Sequence, residues 1–134
     1  MTTLAAAKPN KWLNIALWVA QVVLAAFYAM VGSMKVSKSI PELAGAMHWP
    51  GLVPEALVRF VGTAELAGAI GLILPMLTGI MPRLTALAAA GLMVLQICAM
   101  IFHISQGEAQ VLPMNVVLFA IASFILWGRW FKKV

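Results

Sequence analysis

Residues 55–74 read EALVRFVGTAELAGAIGLIL, a run of twenty in which the ionisable side chains are Glu55, Arg59 and Glu65. At 1.5 Å of rise per residue, such a helix reaches about 30 Å, the thickness of the hydrocarbon core of a bilayer. Its apolar residues cover every face, where a water-soluble helix would keep them to one stripe. Pro54 precedes the run and Pro75 follows it. Proline suits the first turn of a helix and is costly in its interior, so the two prolines are read as the edges of a membrane-spanning helix.

Three further blocks have the same character, at residues 12–34, 83–104 and 112–130, with Pro82 and Pro113 opening the last two. Hydrophobic residues make up 63% of the 134, charged residues 10%, and the mean hydropathy is +1.00. A water-soluble domain carries about 25% charged residues, so this chain lacks the charge to cover a water-facing surface. The expected fold is an all-α membrane protein. It is a single transmembrane domain over residues 1–134, an antiparallel four-transmembrane-helix bundle, because the short connections at 76–81 and 105–111 force consecutive spans to be neighbours. The first block, with Lys8 and Lys11 before it, is longer than a signal-peptide core and lacks a small-x-small cleavage site, so it too is read as a span.

The longest connection, residues 35–54, contains IPELAGAM at 40–47, followed by His48, Trp49, Pro50 and Gly51. It predicts a short interfacial helix closed by Trp49 and a Pro-Gly turn. The net charge of +5 comes from cations at the edges of apolar blocks, with no basic run and interleaved aromatics, so the lipid bilayer and not nucleic acid is the expected partner. Lys8, Lys11, Arg83, Arg129, Lys132 and Lys133 fall on one side; Lys35, Lys38 and Arg59 fall on the other. By the positive-inside rule both termini are expected in the cytoplasm, in a multi-pass protein. Trp12, Trp127 and Trp130 then mark the inner interface and Trp49 the outer one.

An ionisable group at membrane depth is expensive and points to function. Glu65 lies near the middle of its block, beside the small-xxx-small pairs Ala64/Gly68 and Ala67/Gly71, so it is expected on or beside a helix–helix contact. It reads as a proton-carrying or ligand-binding carboxyl, or as a protonated acid that glues helices together. Gln21 and Gln96 lie at comparable depth as candidate amide donors to it, or as glue themselves. Lys35, Arg59, His103 and Asn115 gather at the outer leaflet. With Glu65 as floor, they suggest a polar pocket opening outward above an apolar inner half. The bland readings are snorkelling to headgroups for Lys35 and Arg59, and a loop-carbonyl bond for His103. Arg59 and Glu65, six residues apart, are not a direct pair; a side chain, water or ligand would have to bridge them.

Other chemistry is thin. The lone Cys98 cannot form an intramolecular disulfide or relay electrons by thiol exchange, and is expected as a small buried hydrophobe. There is no Asp, and His48 and His103 are too few for a zinc or haem site, so no metal is expected. No residue set assigns a catalytic reaction.

The stretch from Val61 to Pro75, the first-helix ending Gly32-Ser33-Met34-Lys35, and the alanine-rich third block running to Phe102-His103 together resemble the DoxX-like membrane proteins. The resemblance covers nearly the whole chain and rests on Gly32, Lys35, Glu65, Gly68, Gly71 and His103 in order. It implies four spans in a bacterial inner (cytoplasmic) membrane and a loose association with redox or oxidative-stress complexes. The expectation is a membrane subunit that binds a quinone or other small apolar molecule and works with oxidoreductase partner subunits. Any electron-carrying cofactor would sit elsewhere, and a homo-oligomer is left open. The alternatives are a small proton-coupled transporter using Glu65 and a structural or assembly subunit with no ligand.

Overall fold

The computed structural model describes residues 10–132; Lys8 and Lys133, counted in the charge balance, lie outside the described residues. The described chain is helical, with α1 at Lys11–Ser37, α2 at Ile40–Met47, α3 at Glu55–Thr78, α4 at Arg83–Ser105 and α5 at Leu112–Phe131. Four of these are long and apolar enough to cross a membrane. They form a ring in the order α1, α3, α4, α5, each antiparallel to its neighbours, with α1 packed most extensively on α3.

The core is narrow. Leu24, Tyr28, Leu72, Ala89, Leu92, Ala122 and Ile125 fill it, while Val19, Val22, Phe60, Ile70, Val94, Ile101 and Val117 point outward. That outer surface suits lipid and not water. Cys98 belongs to it, exposed on α4, and is not the buried hydrophobe expected. Glycines set how closely the spans approach. A Cβ on Gly62 would come within 2.7 Å of the Lys35 Cβ and 3.0 Å of the Gly32 carbonyl oxygen, so α1 and α3 cross backbone to backbone.

The short helix expected in the longest connection is present as α2. Ser39 caps it: its Oγ accepts from the Glu42 N–H at 3.4 Å and donates to Glu42 Oε1 at 3.1 Å. Its end at His48, with φ 70°, leads into a single 3₁₀ turn at Trp49–Leu52. Leu43 and Pro50 are the buried residues of this connection.

The edge expected at Pro75 is corrected. Helix α3 runs through it and ends at Gly79, which takes the left-handed conformation (φ 75°) and bonds back to the Pro75 carbonyl at 3.0 Å. A proline at 75 removes the N–H that would reach the carbonyl of Gly71. The Thr85 hydroxyl on α4 donates to that carbonyl at 2.9 Å, supplying the missing bond from a neighbouring helix.

Candidate functional site

On α1, Gln21, Tyr28 and Lys35 are spaced by sevens and all are buried, so one face of this helix carries a polar seam through the bundle. Each meets a different set of partners.

At the loop-rich end, Lys35 Nζ lies 2.9 and 3.0 Å from the two carboxylate oxygens of Glu65, with the side chains only 10% and 6% exposed. Both oxygens meeting one ammonium at these lengths is the geometry of a charged pair. The Gly32–Gly62 crossing brings the helices near enough for this contact, since a Cβ on Gly32 would come within 3.2 Å of Glu65 Cβ. The Trp49 ring lies over the Lys35 ammonium, 5.3 Å from it, and places the first loop as a cover for the pair. Arg59 turns away from Glu65. Its guanidinium binds Glu55 at 2.9 Å and donates to the carbonyls of Lys35 and Lys38 at 3.0 and 2.6 Å, where α1 ends and its carbonyls lack helical partners.

Midway along the seam, Gln96 donates to the Tyr28 hydroxyl at 2.5 Å and accepts from the Asn115 amide at 2.6 Å. This chain crosses from α1 to α4 to α5. Its last atom, Asn115 Oδ1, is buried with no hydrogen-bond partner among the described residues. Asn115 therefore sits with the mid-depth group and not beside Lys35 and Arg59.

Near the chain termini, Gln21 donates to the Leu72 carbonyl at 2.6 Å and accepts from Arg129 Nε at 2.6 Å. Arg129 Nη1 donates to Asn14 Oδ1 at 2.8 Å. The expected pairing of Gln21 or Gln96 with Glu65 is thus replaced by three separate sets of partners. The half nearer the chain termini, expected to be apolar, is not plainly so. Arg129, read as an edge charge, is 8% exposed and holds α5 to α1.

His103 is bound differently from its bland reading. Its Nδ1 lies 2.9 Å from Glu108 Oε1, and Glu108 Oε2 lies 3.6 Å from His48 Nε2. This acid ties the loop before α5 to the end of α2. No group of three His, Cys, Asp or Glu suited to a metal occurs among the described residues.

A family model described as the DoxX-like family matches residues 19–125. The chain belongs to the DoxX-like family. The match takes in the whole of α3 and α4 and most of α1 and α5, and so covers the Lys35–Glu65 pair and the Tyr28–Gln96–Asn115 chain of this DoxX-like protein. Neither a curated protein nor a solved structure matches it.

Tyr28, Thr85 and Glu108 were not among the candidate site residues read from the sequence, and Trp49 was read as an interface marker and not as a cover for Lys35. Tyr28 carried a usable signal, as the chain's one tyrosine, seven residues before Lys35 and seven after Gln21. For Arg129 the signal was present but misassigned, because a cation at the end of a span is read as topology.

Proposed function

We propose that this DoxX-like protein is a membrane subunit that binds a quinone or another small apolar molecule with a polar head at the Lys35–Glu65 pair, in support of a redox partner. The observation that carries this reading is a charged pair enclosed within a membrane-spanning bundle. Intramembrane ionisable groups mark ligand or proton sites by default.

The residues fit such a ligand. The Lys35 ammonium has three donors and gives two to Glu65, leaving one N–H for a carbonyl. Trp49 offers an aromatic face against the ammonium. A bound quinone would supply two-electron, two-proton chemistry, with electrons from a partner subunit. In this chain Lys35 would donate to the headgroup, Glu65 would hold or release a proton at its carboxylate, and the Gly32–Gly62 contact would fix their separation. The proposed setting is a bacterial cytoplasmic membrane with both termini inside, which turns the pair toward the outer leaflet.

The competing reading is a structural subunit, favoured by the fact that Lys35, Glu65, Gln96 and Gln21 are all engaged by other protein groups. Gentle purification of the protein and of Glu65→Gln, with extraction of lipidic ligands and identification of bound proteins, separates the two. A quinone recovered with the native protein and lost with the variant supports the proposal. An intact complex with no ligand in either sample supports the structural role. Proton-driven efflux by the chain alone, abolished in Glu65→Gln, would replace both readings with a transporter.

A further inference from the structure

The bundle end that carries both termini holds cations without acids. The chain has four acids, Glu42, Glu55, Glu65 and Glu108, and all belong to the other half of the bundle or its loops. Between the end of α3, the start of α4 and the end of α5 lies a cleft of about 260 Å³ lined by Met76, Pro82, Arg83, Arg129, Trp130 and Lys132. The Arg83 guanidinium stacks over the Trp130 ring at 4.8 Å. Arg129 is more than nine-tenths buried; its Nε and Nη1 are bonded to α1, while its Nη2 has no partner among the described residues. A desolvated guanidinium donor left unpaired is costly, and a second acceptor would relieve it.

The cleft continues into a groove of about 420 Å³ that shares Pro82, Arg83 and Trp130 with it and adds Met81, Leu84 and Leu87. One compartment is cationic and the other apolar, and they meet at the Arg83–Trp130 stack. We propose that this site binds an anionic phospholipid, its phosphate among Arg83, Arg129 and Lys132 and one acyl chain along Leu84 and Leu87. Guanidinium groups bind phosphate oxygens through paired N–H donors. Basic pockets between spans at the membrane surface take acidic headgroups. A zwitterionic lipid would bring its own cation against three others. Free phosphate would satisfy the same donors but leave the apolar groove unfilled.

The test is native mass spectrometry of the intact protein in mild detergent, titrated with phosphatidylglycerol, phosphatidylcholine or inorganic phosphate. The variant is Arg83→Gln/Lys132→Gln, which changes two exposed side chains and leaves the packed Arg129 in place. Lys38→Gln, exposed at the opposite end, is the control. The native protein and Lys38→Gln are expected to retain phosphatidylglycerol in preference to phosphatidylcholine. The double variant should bind phosphatidylglycerol about 30-fold more weakly, from the loss of two basic residues at a membrane surface. Its helicity and thermal unfolding in lipid-free detergent should match the native protein. Equal retention of the two lipids by the native protein, or undiminished binding in the double variant, would overturn the site. Inorganic phosphate binding as tightly as phosphatidylglycerol would overturn its assignment to a lipid.

Discussion

Replacing both partners of the enclosed pair together should cost no more than replacing either one alone. Lys35 Nζ touches both oxygens of Glu65 at 2.9 and 3.0 Å, and neither side chain is more than 10% exposed. Removing one member of a buried pair leaves the other charge uncompensated, a loss of about 3–5 kcal/mol. Lys35 lies two residues from the end of α1, so in Glu65→Leu its ammonium can swing toward Trp49 and the headgroups. That single change is expected at the low end, about 3 kcal/mol. Lys35→Met leaves the carboxylate deeper in α3 with no cation in reach, and is expected at about 3 kcal/mol or more. The double variant removes both charges and fills the space with apolar atoms, so it should be no worse than either single change. The coupling is then about 3 kcal/mol, the upper end of the range for touching residues. The assay is reversible unfolding in mixed micelles by a detergent titration, followed by circular dichroism. Additive losses, with the double variant falling by the sum of the singles, would refute the ion pair as an energetic unit.

Three further outcomes follow from the packing. Gly62→Ala drives a Cβ to 2.7 Å from the Lys35 Cβ and 3.0 Å from the Gly32 carbonyl oxygen; it should lose about 1–3 kcal/mol by overpacking, measured in the same titration. Thr85→Val strips the donor from the Gly71 carbonyl and should lose about 1–3 kcal/mol, whereas adding Pro75→Ala returns an N–H to that carbonyl and should recover most of it. Glu108→Gln should loosen the junction it makes with His103 and His48, seen as faster amide hydrogen exchange in α2 and in the turn before α5, with the four spans unchanged.

The spans were legible because length and hydropathy are properties of local sequence. Helix α2 was legible because IPELAGAM runs into the Trp49-Pro50-Gly51 turn that closes it, while the cap that Ser39 makes with Glu42 went unread. Pro75 was misread as an edge because the rule that proline ends a helix is local, while its compensation by Thr85 comes from another helix. Glu65 stood out as a carboxyl at depth, and its place on a helix contact was foreseen from the small residues around it. Its partner was not. Depth pointed to Gln21 and Gln96, but partner choice depends on how far each helix is rotated, and that is set by the Gly32–Gly62 crossing. Lys35 then reaches Glu65 through its long side chain, from a turn nearer the membrane surface. Gly68 and Gly71 face Leu92 and Ala88 on α4 instead, so the small-residue stripe and the carboxyl serve neighbouring faces of one helix.

The central claim is that Lys35 and Glu65 meet as a pair inside the bundle. Solid-state NMR in lipid bilayers tests it directly, by the dipolar coupling between a ¹⁵N-labelled Lys35 ammonium and the ¹³C-labelled Glu65 carboxylate. The account predicts a coupling that fits a hydrogen-bonded contact at the 2.9 Å N···O distance, with a deprotonated carboxylate shift. A coupling too weak for direct contact, or a neutral carboxyl shift, would contradict it.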